Sequence, residues 1–454
     1  MEGITLAIAI AASAMVFFLP PVYGLIVYVA AFAYYPTYLA VPLGTLHFTV
    51  RRIVILAVFA KLFLATDLPG RLKFIWLDMI IIIYFIAVLL AGVTTAQSFG
   101  ALLENQSGQI FDTVLPYFAV RIIIQNKQQY LTLLKGILII AIPLAIVGFY
   151  QCLTGNNPVG FLKQYAAWIT IPDVSWSRSG FFRADVTFEH YIMYGLFFAM
   201  FGPVCVGISG YVKSYKMWYW IALGFMGLGI FSSMSSGPIL VAVLAIFFIG
   251  FYRYRRYWKT VTAIIIIMCA VVEIISNRHF YDVLCSRLTL DSGSAWYRSR
   301  LIQVGLFEGG MSGHWLTGYG WGVDPGWCAN IDRRDHTDLG TNQYLGILSA
   351  FGLVGLIPFL AMNISVAKRL VDAFKASPLS SDRWLIWCLS AAFFGLTIGF
   401  MTVSMFGQPT TIYYMIMGFV GVMPRLVTKP NQIIPRCSAI GLKASKDEIT
   451  IGGI

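Results

Sequence analysis

Apolar runs close to the length of a membrane crossing recur from one end of this chain to the other, and they constrain its fold more than any motif does. A helix needs about 20 apolar residues to cross a hydrocarbon layer of about 30 Å. Runs near that length fall at about 4–19, 22–41, 51–66, 75–95, 110–124, 131–153, 190–209, 216–232, 237–252, 260–276, 342–366, 384–406 and 411–424. Unpaired backbone amides are not tolerated in lipid, so such runs must be helices or the strands of a closed barrel. The strict alternation of a barrel strand is missing from them. The expected fold is therefore all-α, a polytopic transmembrane helical bundle of about 12–13 helices. Composition agrees, because only 11% of residues are charged, against about 25% in soluble domains. The net charge of +12 does not point to nucleic acid, since positive charge in a membrane protein gathers in cytoplasmic loops.

The N-terminal MEGITLAIAIAASAMVFFLPP carries Glu2 where a cleaved signal carries basic residues, so it reads as an uncleaved first helix. The seven cysteines include no CxxC pair, which argues against a zinc or iron–sulfur site. Cys285 and Cys328 share one loop, where a disulfide is open to them if the compartment is oxidising. Basic clusters stand at Arg253, Arg255, Arg256 and Lys259, at Lys368, Arg369, Lys375 and Arg383, and at Arg425 and Lys429 running into the tail. Each is an odd number of crossings away from residues 277–341. The positive-inside rule therefore puts the clusters in the cytoplasm and the loop outside, and residues 154–189 fall outside with it. Residues 1–430 form one transmembrane domain, and 431–454 a polar cytoplasmic tail.

Residues 277–341 hold six arginines, three histidines and six aspartates in a chain that is elsewhere poor in charge. Gly318, Tyr319, Gly320 and Trp321 within GYGWG combine close backbone approach with rings that pack on sugar faces or anchor at headgroups. Arg298 and Arg300 precede LIQVGLFEGG, which reads as a short helix at the membrane boundary. Guanidinium forks there suit bidentate contact with phosphate oxygens, or else snorkel to lipid headgroups. The earlier loop contains WSRSGFFRADVTFEHYIMYG, with Arg178 and Arg183 repeating the anion-binding theme. Asp185, Glu189 and His190 stand where a helix begins. Acidic groups there either complement the helix dipole or serve as a general base for a hydroxyl.

These pieces, in this order, resemble the O-antigen ligase and the O-antigen or exopolysaccharide polymerase superfamily of bacterial membrane proteins. The likeness runs from about Gly148 to Gly355, through GFYQCLTGNNP, RSGFFRADVTFEHYIMYG, FSSMSSGPILVAV, RSRLIQVG, GYGWG and TNQYLGILSAFGLVG. It implies a GT-C-like helical glycosyltransferase with large extracytoplasmic loops in the bacterial inner membrane. Such enzymes move a glycan from a polyprenyl diphosphate carrier to a hydroxyl. The acceptor is another lipid-linked repeat unit in a polymerase and lipid A core in a ligase. No metal and no cofactor are implied; the partners are the lipid-linked glycan, membrane lipid and, for a polymerase, a chain-length regulator. The family's diphosphate-gripping arginines carry over to Arg178 or Arg183 and to Arg300, with Arg298 beside it. Ligases open the helix after the long loop with histidine and asparagine, where this chain has Thr341 and Asn342, followed by Tyr344. The nearest histidine is His336, and RADVTFEHYIMYG with SSGP favours the polymerase branch. On this reading Glu189, Asp185 or His336 draws the acceptor proton, the transfer inverts, and Asn342 and Tyr344 help shape the cavity. A transporter or flippase is the rival, although such proteins keep their substrates on broken helices near the bilayer midplane.

Overall fold

The structure of the protein is a computed structural model, and it describes residues 1–64, 72–96, 98–166, 176–212, 215–276, 279–283, 292–331 and 337–428. Every apolar run named above carries a helix. The first are α1 (Glu2–Phe18), α2 (Pro21–Tyr34), α3 (Val50–Leu64), α4 (Trp76–Thr95) and α5 (Phe99–Gln109). A π-turn, Ile110–Val114, joins α5 to α6 (Leu115–Ile123), and α7 (Lys127–Thr154) follows. After the first polar loop come α8 (Tyr191–Val206), α9 (Lys216–Ser232), α10 (Ser236–Gly250) and α11 (Trp258–Ile275). The long loop contributes α12 (Ser292–Ile302), and α13 (Gln343–Ala376), α14 (Ser380–Gly399) and α15 (Gln408–Thr428) close the chain.

Among the described residues six helical stretches are long and apolar enough to cross a membrane: Trp76–Thr95, Lys127–Thr154, Tyr191–Tyr211, Ser236–Ile275, Gln343–Ala376 and Gln408–Val427. Together they make a polytopic helical bundle. The run at 22–41 yields only a 14-residue helix, because Pro36 keeps Tyr35 out of the helical region. An antiparallel hairpin, β1 (Ala40–Leu43) with β2 (Leu46–Thr49), takes the remainder. The first polar loop contains a 3-10 turn, Gly160–Tyr165, and a second small hairpin, β3 (Ser177–Arg178) with β4 (Phe181–Phe182). The tail 431–454 lies outside the described residues.

Four charged residues inside the apolar runs, Asp78, Arg121, Lys61 and Glu273, have hydrogen-bond partners, which the buried Asp78 and Arg121 require. Arg121 donates through Nε and Nη2 to the two carboxylate oxygens of Asp78, at 3.0 and 2.9 Å, and Tyr117 donates to the same group. The Nζ of Lys61 donates to the last carbonyls of α1, including that of Val16 at 2.9 Å. Glu273 pairs with His279 at 2.8 Å.

Cross-contacts gather the polar loops at one end of the bundle. The Ala184 N–H donates to the Ser232 carbonyl at 2.9 Å, the Gln343 N–H to Phe400 O at 2.8 Å, and the Ser404 N–H to Gly340 O at 3.0 Å. The rings of His190 and Phe406 are 6.0 Å apart, which joins the first loop to the α14–α15 turn. Lys127, Lys368, Arg369, Lys375 and Arg383 stand at the opposite ends of their helices, where Lys127 meets Asp382 at 2.6 Å.

Helix α13 is two helical pieces. At Gly352 the backbone takes φ 60° and ψ −159°, a region that essentially only glycine occupies. Backbone of the long loop fills the break. Leu353 N–H donates to Trp315 O at 2.8 Å, Val354 N–H to Leu316 O at 3.1 Å, and Tyr319 N–H to Ser349 O at 2.7 Å. Each of these groups would otherwise go unpaired inside the bundle. A small second core, with Tyr297, Leu301, Val304, Met311 and Trp327 of the long loop, packs onto Leu345 and Leu348 of the first helical piece.

Candidate functional site

A cavity of about 310 Å³ lies at the end of the bundle where the two polar loops meet. Its walls come from the β2–α3 junction, α5 and the π-turn, the start of α8, the GYGWG turn, the first piece of α13 and the α14–α15 turn. Tyr84, Phe351, Phe359, Phe406 and Tyr414 make its apolar lining.

One side of this cavity carries two arginines and the aspartate they share. Arg51 and Arg52 open α3, and each places Nη2 at 3.0 Å from the same oxygen, Oδ2 of Asp112 in the π-turn. Arg52 also donates from Nη1 to His47 O at 2.8 Å. Arg51 is only 5% exposed, yet its Nε and Nη1 have no hydrogen-bond partner among the described residues, and neither has Arg52 Nε. Buried guanidinium donors are ordinarily satisfied. Two cations sharing one carboxylate, with N–H groups to spare, suit an anion with several acceptor oxygens.

Facing them is Glu189, half-buried, whose carboxylate accepts from Thr37 Oγ1. Burial pushes its carboxyl above the ordinary carboxylate range, and Thr37 and Arg51 only partly offset this. A carboxylate whose pKa is raised by burial is a stronger proton acceptor than an exposed one. At the cavity mouth His47 Nδ1 meets Glu104 at 3.0 Å. Among the described residues no cluster of three or more His, Cys, Asp or Glu is spaced to hold a metal ion.

The residues expected from sequence distribute unevenly around this cavity. Glu189 and Trp321 line it, the indole stacked at 15° on Phe351 with centroids 5.6 Å apart. Asn342 caps α13, accepting from the Tyr344 and Leu345 N–H groups at 3.0 and 3.1 Å, and so sets the neighbouring Gln343 into the wall. Tyr344 donates to Thr397 O at 2.7 Å. Gly318 abuts the break in α13, where a Cβ would come within 2.5 Å of Ser349 O, and Gly320, at φ 111°, packs on Thr95. Tyr319 stacks on His314 with centroids 3.9 Å apart.

Asp185 stands in a network of its own. It accepts from Gln151 Nε2 at 2.8 Å, Asn157 Nδ2 at 3.0 Å and Lys163 Nζ at 2.7 Å. Gln151 Oε1 accepts in return from the Val186 N–H at 3.0 Å, which holds that β-branched residue at φ 49°. Such a conformation persists only where its surroundings over-determine it, and it lies three residues before Glu189. His190 caps α8 by accepting the Ile192 N–H on Nδ1 at 3.2 Å, and burial lowers its pKa to about 4. Its ring is neutral near pH 7.

Of the four expected arginines, none lines the cavity. Arg178 is in the β3–β4 hairpin, reaching Met234 O at 3.5 Å. The Arg183 guanidinium lies 4.5 Å from the centroid of the Tyr191 ring. Arg298 is buried on α12, and Arg300 pairs with Glu308. His336 lies outside the described residues, as does Cys285; Cys328 is a free thiol.

Arg51, Arg52, Asp112 and Thr37 were not legible as a group. Their trace in the sequence is a double arginine heading an apolar run and a lone aspartate inside another. Comparison with known proteins gives no match to a family model and none to a curated sequence.

Proposed function

We propose that this chain is a glycosyltransferase of the polysaccharide polymerase kind, GT-C-like in fold, working on the extracytoplasmic face of a bacterial inner membrane. Its donor is a glycan on a polyprenyl diphosphate and its acceptor a hydroxyl of another lipid-linked repeat unit. The observation that carries this reading is the pair Arg51 and Arg52, bound to a single aspartate oxygen and with N–H groups that have no partner among the described residues, in one cavity with the carboxylate of Glu189. In this cavity the two arginines take the diphosphate-binding role that the resemblance gives to outer-loop arginines.

In the transfer, the acceptor hydroxyl oxygen forms a bond to the anomeric carbon as the bond from that carbon to the diphosphate oxygen breaks. Glu189 takes the hydroxyl proton, and the electron pair leaves with the diphosphate. Charge developing on that leaving group is stabilised by preformed cationic donors, which need no rearrangement at the moment of reaction. Attack from the face opposite the diphosphate inverts the anomeric centre.

Purified protein with lipid-linked repeat units tests this. Wild type yields a ladder of longer lipid-linked glycans. Glu189→Gln retains donor binding and loses the ladder, while Arg51→Gln weakens donor binding. Transfer to lipid A core instead of a ladder would make the chain a ligase, and full activity in both variants would refute the assignment.

A further inference from the structure

Beside the main cavity lies a second, smaller chamber of about 90 Å³. The two share Asn105, Gln109, Trp321 and Phe351 in their walls, so the stacked Trp321–Phe351 pair stands between them. Among the described residues the chamber has no charged side chain in its lining. Its polar groups are amides and a hydroxyl: Asn105, Gln106 and Gln109 on one face of α5, and Thr95 at the end of α4.

Gln106 is 8% exposed, and its Oε1 has no hydrogen-bond partner among the described residues. A buried amide oxygen in that state calls for a ligand or water donor. The side chain packs against Gly92, where a Cβ would come within 2.7 Å of Gln106 Nε2. One face of the Trp321 indole rests on Phe351, and the ring as a whole is 50% exposed.

We propose that this chamber binds one neutral pyranose residue of the glycan. Planar amides pair a donor and an acceptor with vicinal hydroxyls, and an indole face takes the C–H face of a sugar ring. At about 30 Å³ of liquid per water the chamber matches roughly three waters, so it takes the hydroxyl-bearing edge of one ring, whose remainder extends past Trp321 into the main cavity. The uncharged lining disfavours a uronic acid, whose carboxylate would be left without a counter-charge. This inference rests on the transferase reading, because only there does a sugar sit next to the diphosphate.

The test uses full-length protein in nanodiscs, a panel of neutral methyl pyranosides and methyl glucuronide, with binding followed by saturation-transfer NMR. At least one neutral pyranoside binds, more tightly than the glucuronide. Its affinity falls about five- to tenfold in Gln106→Leu and in Asn105→Ala, as expected for one lost hydrogen bond, and also falls in Trp321→Ala. Elution and unfolding midpoints confirm that the variants are folded. Polyprenyl diphosphate binding shows the reverse pattern, weakened in Arg51→Gln and unchanged in Gln106→Leu. Displacement of the pyranoside by a polyprenyl diphosphate bearing one sugar assigns the chamber to the donor, and simultaneous binding assigns it to the acceptor; both support the site. No binding by any neutral pyranoside, or binding that survives both amide substitutions, overturns it. Undiminished diphosphate binding in Arg51→Gln overturns the transferase reading instead.

Discussion

Replacing Gly352 by alanine should destabilise the protein and open the cavity at the same time. The backbone there sits at φ 60°, ψ −159°, and holding a residue other than glycine in such a region costs on the order of 1–3 kcal/mol. The new Cβ would also lie 2.2 Å from Leu316 O and 2.6 Å from Thr317 N. Both are backbone atoms, so no side chain can swing away to relieve the clash, and the loop itself must retreat. Retreat breaks the bonds from Leu353 N–H to Trp315 O and from Val354 N–H to Leu316 O, each contributing about 1 kcal/mol. The sum is roughly 3–5 kcal/mol. Because Trp321 follows the same loop segment, its stacking on Phe351 should loosen with it. Gly346→Ala is the control in the same helix, where the nearest atom to the new Cβ is 3.8 Å away and alanine should gain up to about 1 kcal/mol in helix propensity. Equilibrium unfolding in detergent measures the stability, and oxidative labelling of Trp321 measures its exposure. A Gly352→Ala protein with the wild-type midpoint and wild-type Trp321 labelling would refute the account of the broken helix.

Asp78 and Arg121 are 0% and 2% exposed, so Asp78→Asn leaves a buried guanidinium uncompensated and should cost about 3–5 kcal/mol, of which Asp78→Leu with Arg121→Met should restore a large part; a single variant as stable as wild type would contradict this. The Arg300–Glu308 pair is 27% and 37% exposed, so Arg300→Ala should change stability by less than about 1 kcal/mol and leave the polymer ladder in place. Loss of the ladder in Arg300→Ala, with Arg51→Gln active, would move the diphosphate from the cavity to the long loop. His190, with its folded pKa lowered to about 4, is protonated first in the unfolded chain. It therefore contributes stability that is complete above pH about 6.5 and is lost as pH falls toward 4, by at most roughly 3 kcal/mol. His190→Asn, which can still cap α8, should flatten that dependence, and identical pH profiles for the two proteins would rule the effect out.

Hydropathy alone pointed to a helical membrane protein and to where most of its helices fall, since the apolar runs are long, consecutive and local; α5 and α12 lie outside those runs. Charge likewise separated a polar loop-bearing end of the bundle from a basic one and singled out Glu189, while the glycines and rings of GYGWG pointed to Trp321, and both residues line the cavity. Where a helix breaks was less legible. Gly352 is one of two glycines in SAFGLVG, and only its packing against Leu316 shows that no other residue fits. The same holds for Asp185, a general-base candidate on paper, which in the fold accepts three hydrogen bonds from Gln151, Asn157 and Lys163. Arg51, Arg52 and Asp112 lie about 60 residues apart in two apolar runs, and nothing local says that those runs face each other. Their meeting depends on how α3 and the π-turn are rotated about their axes, which is set by side-chain packing across the bundle and not by periodicity within either run. Tertiary structure alone therefore decided where the cationic wall of the cavity stands.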